Sequence, residues 1–194
     1  MARPREFDID EAINGAMRLF WDQGYEDASL ADLLVAMKIT KGSFYKAFTD
    51  KKSVYLAALD LYSETVVQPA VDALKDPGNG TGDLRILDLF EMVVSAADAD
   101  GDRQGCFLCN AVVDRAAHDP EIEHKLQDMM RRLRSGFVIA LSDPSLGMSE
   151  KQVQTTASGV LASYLGLRVL GKAGMSQELA NDCVTQVQRL LTPH

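Results

Sequence analysis

Three groups of residues in this 194-residue chain have the types and spacing to do chemistry. The first is "GCFLC", where Cys106 and Cys109 stand three positions apart. On a helix that spacing puts both thiols on one face, which suits a redox pair, half of a metal site, or two small core residues. No second cysteine pair and no paired-histidine motif accompany them, so no zinc site is read, and no strand–helix–strand pattern supports a thioredoxin-like enzyme. Flanking Phe107, Leu108 and Val112 favour the core reading. Thiol sensing is the alternative, with Cys106 as its reactive member. The second group is Asp98, Asp100 and Asp102, which alternate as in a calcium loop. Arg103 stands where such a loop needs glycine and Cys109 where it needs a bidentate glutamate, so calcium is rejected. The third is "TKGSFYKAFTDKK", Thr40 to Lys52, with four lysines and three aromatics in a chain of net charge −8. The histidines at 118, 124 and 194 have no accompanying nucleophile, base and orienting group. No catalytic residue, metal or cofactor is therefore assigned, and His118 reads as a packed or capping residue at a helix end.

The elements that must position these groups are helical. Hydrophobic residues make up 46% and charged residues 25%, a globular composition with room for a small domain joined to a larger one. No apolar run approaches the roughly 18 residues of a membrane span. "MARPREFDID" lacks a signal peptide's apolar core, so a cytoplasmic location is expected. Three cysteines make no disulfide framework. Residues 1–52 are nearly neutral, with eight Lys/Arg against nine Asp/Glu, while the remainder holds most of the negative charge. A local basic face on an acidic body follows.

Ile9, Ile13, Met17 and Phe20 repeat at helical spacing between a capping Asp8 and a terminating Gly24. A short second helix runs from Ser29 to about Met37. Thr40 caps a third over 41–48, and Asp50 caps a long fourth that Pro69 should kink or end. Two short helices joined by a three-residue connection read as helix-turn-helix. The second of the pair must present small or polar side chains at its N-terminus to enter a groove about 12 Å wide, and "TKGS" does so. Phe44 and Phe48 would anchor it from behind. Tyr45 and Lys46 could reach phosphates or base edges, with Lys51 and Lys52 beside the backbone. From spacing alone, the same residues serve equally as a solvated face.

The stretch "GYEDASLADLLVAMKITKGSFYKAFTDKKSVYLAAL" is similar to the DNA-binding domain of TetR-family transcriptional regulators, over roughly residues 7–60. The resemblance implies that Ser29, Thr40, Lys41, Ser43, Tyr45, Lys46 and Lys51 lie at DNA, with Gly42 letting the backbone approach and Arg3 and Arg5 forming an arm. Lys38 stands where the family commonly has glycine, and positive φ there would strain it. The implied fold is all-α: an N-terminal three-helix helix-turn-helix domain over 1–50 and a helical effector-binding and dimerisation bundle over 51–194, about nine helices in total.

In the body, "KDPGNGTGD" is the clearest break. Leu84–Ala97 reads as a helix apolar nearly all round and therefore buried, followed by a loop, "DADGDRQG". "GCFLCNAVVDRAAHDPEI" resembles a segment of one large TetR subgroup, with Asp119-Pro120-Glu121 as cap, first-turn proline and dipole-favoured acid. The last two helices, about 149–191, mix small and large apolar residues. They close the monomer's own core or, as the resemblance implies, pair with a second copy in a homodimer. The implied function is a ligand-responsive DNA-binding regulator, a repressor released from a palindromic double-stranded DNA operator by a small-molecule effector. The effector would sit among Phe90, Met92, Val93, Phe107, Met129, Met130, Phe137, Leu161 and Tyr164, residues that serve equally as packed core. Sensing through Cys106 is the alternative switch. A cytosolic thiol oxidoreductase using Cys106 and Cys109 is the competing class; it leaves "KGSFYKAF" without a purpose, and the chain is read as no enzyme.

Overall fold

The structure is a computed structural model that describes residues 7–99 and 104–192. Arg3 and Arg5, and Asp100 and Asp102 of the alternating acids, lie outside the described residues. Ten α-helices and no strand are found among the described residues; the helix count is nine if the unbroken helical run 51–75 is taken as one.

The first three helices form the head: α1 (Ile9–Gln23), α2 (Leu30–Ala36) and α3 (Lys41–Ala47). Each opens on a residue whose side chain accepts a hydrogen bond from an otherwise orphaned backbone N–H: Asp8, Ser29 and Thr40. Such a cap contributes about 1 kcal/mol. Ser29 adds a reciprocal bond with Asp32. Phe20, Leu33 and Phe44, one from each helix, are fully buried. Gly15 lets α1 and α2 touch backbone to backbone, since a Cβ there would lie 2.1 Å from the Ala36 carbonyl oxygen. Lys38 has φ 54°, the strained turn expected where a glycine would be at ease.

The fourth helix, α4 (Lys51–Tyr62), opens on a reciprocal Asp50–Ser53 cap and packs against α1, with the Phe20 and Tyr55 rings 4.9 Å apart edge to face. Pro69 does not end the run. A π turn over Ser63–Val67 precedes it, in which the Gln68 N–H reaches back five residues to the Ser63 carbonyl, and α5 (Gln68–Lys75) continues through the proline. Widening the turn accommodates a residue that has no N–H to give. Arg132 holds this turn from outside, donating to Ser63 Oγ at 2.6 Å and to Gln68 Oε1.

The body continues with α6 (Gly82–Ala99), α7 (Phe107–Arg115), α8 (Pro120–Leu141), α9 (Glu150–Lys172) and α10 (Gln177–Leu191). Asp119 caps α8 as expected, and Ser149 and Ser176 cap the last two. The helix α8 lies centrally, packed against α5, α6, α7 and α9, while α10 closes over α6 and α9. Arg85, buried in this core, donates to the Leu74 carbonyl at 2.7 Å and pairs with Asp143 at 3.4 Å. The expectation that α6 is buried all round is corrected. Ile86, Leu89, Phe90 and Val93 face the core, but Leu84 and Met92 are 50% and 56% exposed, because neighbours cover only one side of the helix.

Candidate nucleic-acid interface and a thiol site behind it

The helix-turn-helix presents a small, protruding polar surface. Thr40 Oγ1 accepts from the Ser43 N–H at 3.1 Å and lies 3.0 Å from Ser43 Oγ, so the first turn of α3 is fixed from within. Phe44 is buried below it and stacks obliquely toward Phe48, as expected of anchors. Lys41, Gly42, Tyr45 and Lys46 face outward, Tyr45 at 56% exposure. Neither Lys41 nor Lys46 has an ion-pair partner among the described residues. A Cβ on Gly42 would meet nothing closer than Thr40 Oγ1 at 3.9 Å, so nothing within the protein requires glycine there. Ser29 is exposed at the start of α2.

Two lysines of the sequence cluster are already engaged. Lys51 donates to the Glu26 carbonyl at 3.2 Å and lies 4.6 Å from the Tyr25 ring centroid, half-buried at the edge of the interface. Lys52, expected beside the DNA backbone, instead bridges Asp119 at 2.8 Å and Glu121 at 2.9 Å, at the start of α8. A helix start favours acids, and those acids capture the nearest cation.

The family model of the bacterial regulatory proteins of the tetR family matches residues 12–58, which hold all of this surface. The chain belongs to the TetR family. It is 28% identical to the uncharacterized HTH-type transcriptional regulator YezE of Bacillus subtilis, over 85% of this chain and 84% of that protein. It is 30% identical to the HTH-type transcriptional repressor ComR of Escherichia coli, over 64% of this chain and 59% of that protein. Among solved structures it resembles a cysteine mutant of the TetR-family regulator CifR complexed with a 26-bp double-strand operator. That match has TM-score 0.75 and 27% identity, and covers 97% of this chain and 98% of that one. The chain is thus a TetR-type DNA-binding transcriptional regulator.

In this TetR-family chain, head and body meet through aromatic rings. Trp21 of α1 packs edge-on to Tyr62 of α4 at 5.2 Å, and Phe107 of α7 lies 5.7 Å from Tyr55 and 5.6 Å from Tyr62. Polar contacts reinforce the joint: Asp114 accepts from the Tyr25 N–H at 3.0 Å, Arg115 pairs with Glu26, and Asn110 donates to the Trp21 carbonyl at 3.3 Å. A half-open cleft of about 540 Å³ runs along this joint, walled by Trp21, Tyr55, Phe107, Cys109, Asn110 and Val169.

Cys109 lies on its wall, and Cys106, one turn earlier, is buried. Cys106 is the N-terminal cap residue of α7 and lies 3.3 Å from the Tyr62 hydroxyl; Cys109, one turn on, donates to the Leu165 carbonyl at 3.8 Å. The neighbouring Cys109 thiol lowers the Cys106 pKa most, with the Arg168 charge and the Tyr62 hydroxyl adding to it against burial. The Cys106 sulfur beside it and burial raise Cys109. Arg168 donates to the Gly105 carbonyl at 3.5 Å while its Nε has no partner. Sequence reasoning singled out both cysteines and missed Tyr62 as a thiol partner and Arg168 altogether. The available signal was a lone cation inside the apolar run "LGLRVLG".

Of the residues named for an effector pocket, only Phe107 faces this cleft. Phe90, Val93, Met129 and Phe137 are core, Tyr164 is buried against Phe90 and Phe137 with ring centroids 5.7 and 6.0 Å away, Met130 and Leu161 are half-buried, and Met92 is exposed.

Proposed function

We propose that this TetR-family regulator is a cytoplasmic homodimeric repressor. Its head, residues 1–50, binds a palindromic operator, and its body, 51–194, dimerises through about 149–191 and releases DNA when a small-molecule effector binds. The observation that carries the reading is the outward face of α3, where Lys41, Tyr45 and Lys46 are exposed beside an uncrowded Gly42. The operator complex of the CifR relative and the repressor description of ComR support it by similarity. Dimerisation would place two recognition helices about 34 Å apart for two half-sites. An effector seated among Phe90, Phe137 and Tyr164 would have to part rings already in contact, and that movement reaches α4 through α8. Catalysis is no part of this reading.

The test is a gel shift on the DNA upstream of the protein's own coding sequence at two salt concentrations. Wild type should bind tightly and salt-dependently. Tyr45→Ala/Lys46→Ala should lose at least tenfold in affinity and about one unit of salt slope. Equal binding by both proteins would sink the assignment of α3.

A second reading concerns the switch alone: the effector is a thiol-reactive oxidant or electrophile acting at Cys106. The convergence of Tyr62, Cys109 and Arg168 on that sulfur favours it.

A further inference from the structure

Four features meet at Cys106 from separate parts of the chain. Its position as cap of α7 places the sulfur at the positive end of a helix. The Tyr62 hydroxyl reaches it from α4 at 3.3 Å, across 44 residues of sequence. Cys109 stands one turn away in the same helix, and the cleft between head and body is walled by that second cysteine. The Arg168 guanidinium is held beside the pair through the Gly105 carbonyl, and no carboxylate pairs with it among the described residues. A largely buried cation of this kind is costly unless an anion answers it. The thiolate of Cys106 is the anion within reach.

We propose that Cys106 and Cys109 form a hydroperoxide-reactive pair whose oxidation to a disulfide releases the Tyr62 hydrogen bond and so loosens the head from the body. The proposal rests on the thiol reading above and specifies its oxidant class, its second cysteine and its link to α4. In the first step the Cys106 thiolate attacks the terminal oxygen of a hydroperoxide. The S–O bond forms and the O–O bond breaks; the departing alkoxide or hydroxide takes up a proton. Sulfur gives up two electrons, and Cys106 becomes a sulfenic acid. In the second step the Cys109 sulfur attacks that of Cys106. The S–S bond forms, the S–O bond breaks, and the oxygen leaves as water with the Cys109 proton. Residues three apart at a helix start lie within the about 4.4–6.8 Å between Cα atoms that a disulfide requires.

The link to DNA runs through Tyr62. Once Cys106 is in a disulfide its sulfur is a poor partner, and the buried Tyr62 hydroxyl is left to find another. Tyr62 ends α4 at the lip of the π turn, and its ring packs on Trp21 of the head.

The experiment uses the full-length reduced protein and hydrogen peroxide as probe, followed by intact mass, maleimide alkylation, peptide mapping and the gel shift above. Expected are a loss of 2 Da, disappearance of two of the three free thiols with Cys183 still alkylated, a 106–109 link reversed by dithiothreitol, and at least a tenfold fall in operator affinity. Cys109→Ser should stop at a sulfenic acid trapped by dimedone, and Cys106→Ser should not react. Tyr62→Phe should still form the disulfide but bind operator in its reduced state more like the oxidised wild type. The wild-type mass and alkylation measurements need no variant and stand even where a substituted chain misfolds. No disulfide, a link through Cys183, or a disulfide with unchanged operator affinity overturns the proposal. Failure of the reduced protein to bind DNA overturns the repressor reading instead, and the mass measurements still judge the cysteine pair.

Discussion

Lys38 shows what a single residue can carry in a helix-turn-helix. Its backbone sits at φ 54°, where an L side chain costs about 1–2 kcal/mol, while its ammonium reaches Glu11 at 3.0 Å in the open. Exposed pairs of that kind contribute about 0–1 kcal/mol. Glycine would relieve the turn, lose the pair and enlarge the unfolded ensemble. Lys38→Gly should therefore stabilise the protein slightly, by about 0.5 kcal/mol in urea unfolding. A destabilisation above about 1 kcal/mol would show that the Glu11 pair outweighs the strain. Tyr45 and Lys46 differ in that, among the described residues, Lys46 has no ion pair and Tyr45 only leans edge-on against Phe44 with its ring 5.3 Å away. Replacing them should leave the unfolding midpoint within about 0.5 kcal/mol of wild type, the ordinary range for surface positions, while DNA binding falls.

At the scale of elements, the contact of α1 with α2 is governed by Gly15. With the Ala36 carbonyl 2.1 Å from any added Cβ, Gly15→Ala forces two backbones apart and should cost about 1–3 kcal/mol or more, read as a lower urea midpoint. An unchanged midpoint would mean that α2 slides freely on α1. Helix starts were legible in the sequence because Asp8, Ser29, Thr40, Asp50 and Asp119 act within three or four residues of themselves. The π turn was not: Pro69 announced a disturbance, but its form depends on Arg132 of α8, which closes on Ser63 and Gln68 from 69 and 64 residues away. Arg132→Met should loosen that turn and cost about 1–2 kcal/mol, on the scale of hydrogen bonds from a charged donor. The thiol site was half legible for the same reason. Two cysteines three apart can be read directly, whereas Tyr62 and Arg168 reach them only through the packing of α4 and α9 on α7. Periodicity likewise marked the large apolar residues of α6 and α8 without telling a lining from a filling; packing made most of them filling.

For the whole molecule, the joint between head and body decides behaviour, and Lys52 is its charged clasp. The hydrogen bond to Asp119 raises the Lys52 pKa and lowers that of Asp119. A lowered acid contributes stability above its unfolded pKa, about 4, and loses it as pH falls through the folded value; a raised amine contributes below about 10.4 and loses it as pH climbs through its own. The clasp therefore acts between about pH 4 and pH 10. The difference in thermal midpoint between wild type and Lys52→Met should be present at neutral pH and shrink toward zero near pH 3; a difference independent of pH would assign the effect to packing of the lysine stem. Finally, Trp21, the chain's single tryptophan, stands in this joint with its indole N–H on the Gln104 carbonyl and its ring against Tyr62. The protein thus carries its own optical probe at the place where its two parts meet. Indole emission shifts to the red as water reaches the ring, so separation of head from body could be followed by intrinsic fluorescence in the unlabelled protein, in real time and without DNA.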